Sequence, residues 1–342
     1  MRTGKNPAKD GLPAYTPHRL GVALIVYIPF TQGYFENSLQ VFGYQLASLR
    51  AATSEPFDLL VYDNGSCPEA VSKLKELHAQ GQIDWLILSA HNMGKAGAWN
   101  WIFAAMPNEL ICYADSDVLF RPGWLHPCLQ VLQAFPQAGM VGAQPNFYDV
   151  MHGEGQAHQA LQSDPNYHFG DYWPDQNTIE EYCFGIGASQ ELAAQFHNTP
   201  LPAISHQPTG TQAILGASHM QFTIPRQVAR QVVPLPATRG LLRAETMSLD
   251  RKIDQLGYLH LSTPQAHVFH MGNTINERLL QEVERITALP TARQAPLKRA
   301  SAKASRTQRW LASLAKRPRF QRLLLRAYNF LFRVLYSESQ EK

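Results

Sequence analysis

The chain has 342 residues, of which 45% are hydrophobic, 10% aromatic and 17% charged, a composition that suits a globular enzyme with a sizeable core and excludes a disordered or fibrous protein. A formal net charge of +3 conceals a strong asymmetry: from Ile286 to Ser337 there are twelve Lys and Arg and no Asp or Glu, and with Glu338, Glu341 and Lys342 the tail reaches +11, which leaves −8 on residues 1–285. An acidic body with a basic tail argues against nucleic acid as a partner and for contact of the tail with an anionic membrane or an acidic protein.

Residues 1–20 read as a polar leader with no apolar segment, which does not fit a signal peptide. Val22–Ile28 (VALIVYI) is a continuous apolar run, the mark of a strand buried on both faces, and Pro29 ends it. A helix is expected from about Asn37, with Leu39, Phe42, Leu46 and Leu49 on one stripe. Phe57–Tyr62 (FDLLVY) predicts a second strand, followed by a helix that starts at the capping-box spacing of Ser66 and Glu69. Trp85–Leu88 predicts a third strand, Gly94–Met106 a third helix, and Leu110–Ala114 (LICYA) a fourth strand that runs into Asp115-Ser116-Asp117. Four short strand–helix alternations predict an α/β domain with a mostly parallel sheet and helices on both faces. Ligands bind such sheets outside the carboxyl ends of the strands. The polar clusters Pro29–Gln32, Asp63–Ser66, His91–Lys95 and Asp115–Asp117 all follow those ends.

Beyond residue 125 the pattern weakens. Residues 146–178 read as a long functional loop, Glu181–Ala188 (EYCFGIGA) and His219–Ile224 as candidate strands, and about Gly240–Leu256 as a helix. The expected organisation is a nucleotide-binding half over 21–125, an acceptor half over 126–285, a basic linker over 286–308 and an amphipathic helical tail over 309–342. In the tail, Arg319, Arg322, Arg326 and Arg333 share one face and Leu323, Leu324, Leu331 and Leu335 another. That separation fits an interfacial anchor on an anionic membrane through residues 309–336; the alternative, a terminal helix docked on its own domain or on a partner subunit, more usually shows mixed charges. No run of 18 uncharged apolar residues predicts a membrane span. Cys67, Cys112, Cys128 and Cys183 form no metal-binding spacing. They read as reduced thiols, which implies a cytoplasmic protein, and the basic tail adds a peripheral place on the inner face of the membrane.

The motifs V-Y-D-N-G-S (61–66), N-M-G-K-A-G-A-W-N (92–100), Y-A-D-S-D (113–117), A-E-T-x-x-x-D-x-K-I-x-x-L-G-Y (244–258) and H-V-F-H-M-G-N (267–273) occur in an order and spacing that is jointly specific. Residues 22–124 and 241–273 thereby resemble a family 2 glycosyltransferase with the GT-A, Rossmann-like fold. The resemblance implies transfer of a sugar from a nucleoside-diphosphate sugar, UDP-sugar foremost, to a hydroxyl acceptor with inversion, with Mn2+ or Mg2+ as cofactor. Hard cations take oxygen ligands and stabilise a diphosphate leaving group. On this likeness Asp117 binds the metal, Asp115 holds the ribose or a metal-bound water, and His270 completes the metal site, with His267 as its rival. Asp63 contacts the base, Thr31 lies near base or ribose, and Asn92 and Lys95 contact the nucleotide.

Other readings stand beside these. Asp63 also suits an Asx turn, and Lys95 an exposed helix start. Inversion needs a general base, and where the family has an Asp after the Glu this chain has Thr246. Glu245 falls on the inward stripe with Leu249, Ile253 and Leu256 and is preferred as base, with Asp250 second; Asp250 and Asp254 lie about 100° round and are expected to be solvated. Glu245 also suits a first-turn partner of the helix dipole. Trp173, Tyr172 and Tyr182 are candidates for stacking on a glycan or lipid-linked acceptor. The alternatives are a sugar nucleotidyltransferase, disfavoured because PFTQGYF after the first strand holds no Lys or Arg, and a non-catalytic membrane-associated scaffold.

Overall fold

The computed structural model describes residues 15–147, 156–236 and 242–288. The amphipathic tail expected over 309–342 lies outside the described residues. Residues 17–297 make up one compact unit, so both expected halves fall in it.

In chain order the elements are β1 (Leu20–Val26), α1 (Ser38–Ala52), β2 (Phe57–Asp63), α2 (Pro68–Ala79), β3 (Trp85–Leu88), α3 (Gly94–Ala105), β4 (Leu110–Asp115), β5 (Val118–Phe120), α4 (Leu125–Ala134), β6 (Ala138–Gly142), α5 (Gln156–Gln162) and β7 (Tyr167–Tyr172). There follow α6 (Gln176–Ile186), α7 (Gln190–His197), β8 (Leu201–His206), β9 (Thr211–Leu215), β10 (Gln221–Pro225), α8 (Arg226–Val232), α9 (Leu242–Gln255), β11 (Leu259–Ser262), β12 (Val268–His270) and α10 (Glu277–Thr287). Ten strands form one sheet in the order β3-β2-β1-β4-β10-β6-β11-β9-β8-β7, and β12 pairs with β5 in a separate ribbon.

The first half follows directly from its apolar runs. Every residue of β1 and β2 is buried, and successive side chains alternate between the two faces. Leu20, Val22, Leu24 and Val26 join the core formed with α1, α2 and α4, whereas Ala23 and Ile25 join the core formed with α3, α8 and α9. Helices therefore cover both faces, as the unbroken apolar strands require.

The sheet as a whole is mixed, not mostly parallel. β3, β2, β1 and β4 pair in parallel. β10 then enters antiparallel between β4 and β6, and β9, β8 and β7 extend the far edge as antiparallel neighbours. A short loop joins β8 to β9 as a hairpin, whereas β7 reaches its place beside β8 through α6 and α7.

Three further expectations change. Glu181–Ala188 is not a strand: most of it is the end of α6, whose start is capped by the Asp175 carboxylate accepting from Thr178 N at 2.9 Å and whose end is closed by left-handed Gly187 (φ 62°). Residues 146–178 are not one loop, because they contain α5 and β7. Finally, α2 begins at Pro68 after Cys67, and Ser66 does not cap it; the Ser66 hydroxyl instead accepts from Ile28 N at 3.0 Å. That bond ties the turn after β2 to the end of β1.

Candidate functional site

A cavity of about 740 Å3 opens at the carboxyl ends of β1, β2 and β4. Ile25, Tyr27, Asn64, Lys95, Asp115 and Asp117 are on its wall, and Glu245 from α9 and Asn273 from the loop after β12 close it. The parallel register of β1 with β2 and β4 brings the three strand ends to one edge.

Asp115 is the last residue of β4, and both its carboxylate oxygens are engaged. Oδ1 accepts from the Tyr113 hydroxyl, and Oδ2 accepts from Lys95 Nζ at 2.7 Å. Burial first, and the Asp115 charge second, push the Tyr113 phenol well up from its ordinary value. It therefore stays protonated and serves as donor.

Asp117 sits differently. Its Oδ2 is 3.1 Å from His270 Nε2, while Oδ1 is buried with no hydrogen-bond partner among the described residues. The β5–β12 ribbon creates this meeting by setting His270 opposite Val118, and Met271 N donates to the Asp117 carbonyl at 2.8 Å. Burial works to lower the His270 pKa, but the Asp117 charge and hydrogen bond, with Asp115 behind them, reverse this and hold it above the ordinary imidazole value. A partly buried ion network braces the ribbon: Arg121 makes a two-pronged contact with Glu181 at 2.8 Å on each arm and donates through Nε to Glu282 at 2.9 Å. Arg278 reaches Glu181 at 2.9 Å, and the Phe269 ring lies 5.9 Å from each guanidinium carbon.

Among the described residues no group of three His, Cys, Asp or Glu is gathered around one point ready for a cation. Asp117 and His270 are a fitting pair, with a carboxylate, an imidazole nitrogen and an orphaned buried oxygen. Asp115, expected as their companion, is held by Lys95. Cations that keep waters and phosphate oxygens in their shell need few protein ligands, so the donor set suits Mn2+ or Mg2+ with a diphosphate.

The loop before α3 is built by asparagines. Asn64 Oδ1 accepts from Met93 N at 2.8 Å, Asn64 Nδ2 donates to Asn92 Oδ1 at 3.1 Å, and Asn92 Oδ1 accepts from Gly94 N at 2.8 Å. Glu245 Oε2 then accepts from Lys95 N at 2.7 Å and from Ala96 N at 3.4 Å. It thus satisfies the first donors of α3 from a helix 150 residues on. Gly94 has φ +71°, and a Cβ there would collide with the Glu245 carboxylate, so glycine is required on both grounds.

The remaining candidates are spread out. Asp63 is 1% exposed and accepts from Ser66 N at 3.2 and 3.4 Å; the Asx turn is the geometry present, and its neighbour Asn64 takes the place on the cavity wall. Thr31 is exposed and off the wall. Asp250 is buried rather than solvated, hydrogen-bonded through Oδ1 to His219 Nε2 at 2.8 Å, and does not line the cavity. Neither His267 nor His270 is on the wall, and it is the contact with Asp117 that sets His270 apart. Trp173 is exposed, while Tyr182 packs with Ile179 and Phe196 in a small core. Sequence reasoning missed Asn64 and Asn273, although each lies inside a motif already singled out. It also missed Tyr34 and Phe35, where a short 3-10 turn at Gly33–Phe35 breaks helical periodicity. Asn273 Nδ2 donates to the Tyr34 carbonyl at 3.1 Å, joining the two rims.

Residues 35–195, just under half of the chain, match the model of glycosyl transferase family 2. An uncharacterized glycosyltransferase of Nostoc sp. is 24% identical over 106 residues, covering 31% of this chain and 32% of that protein. Among solved structures, a mannosyltransferase from Pyrobaculum calidifontis in complex with GDP-Man and Mn2+ is 16% identical with a TM-score of 0.40, over 73% of this chain and 55% of that one. Residues 1–349 of S. aureus TarS are 13% identical with a TM-score of 0.40, over 79% of this chain and 64% of that one. The chain spans about a third of the length of the curated relative it matches.

Proposed function

We propose, from the match of residues 35–195 to the model of glycosyl transferase family 2, that the cavity binds a nucleoside-diphosphate sugar together with Mn2+ or Mg2+ and that the protein moves the sugar to a hydroxyl acceptor. The observation that carries this reading is the charge of the wall. Among its described residues Asp115, Asp117 and Glu245 face a single ammonium, that of Lys95. Such a wall repels a diphosphate unless a divalent cation comes with it, and a cation held at a phosphate oxygen stabilises the leaving charge. Asp117 and His270 would hold that cation, and the unpartnered Asp117 Oδ1 supports the assignment.

The chain's own groups divide the remaining work. Asn64 and Asn92 shape the loop before α3, and Gly94 leaves room there for the Glu245 carboxylate. Glu245 is the wall carboxylate placed to take the acceptor proton, since Asp250 is turned to His219; inversion and this role follow the family. UDP is the first nucleotide to try. A glycan or lipid-linked acceptor, a place in envelope or exopolysaccharide synthesis, and peripheral attachment to the inner face of a membrane through residues 309–336 are further parts of the proposal.

Calorimetric titration of UDP with and without Mn2+, on the wild type and on Asp117→Asn, tests it. Metal-dependent binding that the variant loses is the expected result. Absence of binding to UDP, GDP and dTDP would instead favour the non-catalytic scaffold, the second reading, which rests on Thr246 standing where the family has its acid.

A further inference from the structure

The two carboxylates of the Asp115-Ser116-Asp117 turn are neutralised by different groups. Asp117 faces an imidazole and keeps an unpartnered oxygen. Asp115 is closed by the Tyr113 hydroxyl on one side and the Lys95 ammonium at 2.7 Å on the other. We propose that Lys95 is a resident counter-ion that occupies Asp115 until a diphosphate draws the ammonium away, so that cation binding at the Asp115/Asp117 turn depends on nucleotide binding. The inference rests on the nucleotide-sugar reading of the cavity and adds an order to it.

Four features support the exchange. First, the pair is partly exposed, with the Lys95 and Asp115 side chains at 29% and 26%. Ion pairs of that exposure are weak enough to give way to a better partner, whereas a fully buried pair is not. Second, the Lys95 backbone is anchored by its N–H bond to Glu245 at 2.7 Å; only the flexible side chain has to move. Third, the ammonium lies 5.9 Å from the Trp99 ring centroid and 5.8 Å from that of Tyr113, and the His219 carbonyl accepts from it at 3.4 Å. These neighbours keep the cation at the wall as it swings from a carboxylate to a phosphate oxygen. Fourth, Lys95 is the single Lys or Arg on the described wall, so one group answers both the empty and the filled state. With Lys95 in place, a divalent ion arriving alone meets Asp117 and His270 but finds Asp115 already paired. Once the diphosphate takes up the ammonium, Asp115 is released to the ion or to one of its waters.

The test is a titration with Mn2+ followed by electron paramagnetic resonance, which counts unbound Mn2+ and needs no turnover. Wild type, Lys95→Met, Lys95→Arg and the remote control Lys73→Met are each measured alone and with saturating UDP. Lys95→Met is expected to bind Mn2+ without nucleotide about tenfold more tightly than wild type, within the range usual for coupled sites, and to gain correspondingly less from UDP. Lys95→Arg, which keeps the charge, and Lys73→Met should behave as wild type towards Mn2+ alone. Unchanged or weaker Mn2+ binding by Lys95→Met, with Lys95→Arg intact, overturns the counter-ion role while leaving the nucleotide site standing. Failure of wild type to bind Mn2+ with UDP, GDP or dTDP overturns the nucleotide reading itself and this inference with it.

Discussion

Gly185 lies so close to His270 that a Cβ on the glycine would stand 2.6 Å from the His270 Cβ. The last turn of α6 thus rests directly on the residue that faces Asp117, and the absence of a side chain is what lets helix and ribbon touch. Gly185→Ala should displace His270 or lift α6, at an overpacking cost of about 1–3 kcal/mol. We expect a lower thermal midpoint and a severalfold loss of Mn2+-dependent nucleotide affinity. A variant with wild-type affinity for both would show that His270 needs no fixed position.

Glu245 holds two roles in one carboxylate: it closes the start of α3 and it faces the cavity. Glu245→Gln retains a carbonyl oxygen for Lys95 N but removes the charge and the basicity. Stability should fall by no more than about 1 kcal/mol, the worth of a charge at a helix start. UDP binding should hold, and sugar transfer should fall by about 100-fold or more, as for loss of a general base. Asp250→Asn, which loosens the hydrogen bond to His219, should cost stability and leave transfer within a few-fold of wild type. The reverse ranking in a turnover assay would move the base to Asp250.

The Arg121 guanidinium serves Glu181 and Glu282 together from a largely buried position, with side-chain exposures of 19%, 6% and 20%. Removing Arg121 leaves Glu181 to Arg278 at 2.9 Å and Glu282 to Arg285 at 2.8 Å, so the cost should stay below the roughly 3–5 kcal/mol of a buried pair broken outright. Arg121→Met should show that loss in urea unfolding. The double variant Arg121→Met with Glu181→Leu, which strands no carboxylate at 181, should recover part of it.

Asp175 caps α6, and its hydrogen bond from the Thr178 backbone holds its carboxyl below the ordinary aspartate value. A carboxyl with a depressed folded pKa stabilises fully above the unfolded value and loses that contribution as pH falls through the folded one. Asp175→Ala should therefore cost about 1 kcal/mol at neutral pH. The gap between variant and wild type should close on acidification below the ordinary carboxylate range, which thermal melts across that range would reveal.

The parallel half was legible because its strands are buried on both sides and spell continuous apolar runs such as LGVALIV and FDLLVYD. The antiparallel half was not. β7 half-buries Tyr167, Phe169 and Tyr172 but exposes His168, Gly170 and Asp171, so it spells no apolar run, and β11 is four residues long, too short for any period. The apolar letters of Glu181–Ala188 resemble a strand, and only the caps at Asp175 and Gly187 decide for a helix. In the site, Asp115 and Asp117 stood out as acids at the end of a buried strand. The Lys95 contact did not, since it depends on where α3 lies against β4 in space. Asp250 was misjudged because α9 is packed on more than one side: its inward stripe meets α3 and β11, and His219 from the β9–β10 loop covers the next face as well.

The threading of the sheet bears on how the molecule is made. Both neighbours of β6 (Ala138–Gly142) come from much later in the chain, β10 at Gln221–Pro225 and β11 at Leu259–Ser262. A growing chain can pair β1, β2, β3 and β4 early, but β6 has to wait for β10, which ends at Pro225, and is flanked on both sides only once β11 ends at Ser262. Pairings of such long separation are slow to form, and the ribbon that delivers His270 is later still. The parallel half is thus the first part able to fold during synthesis, and the cavity gains its last walls only when nearly all of the described chain has left the ribosome.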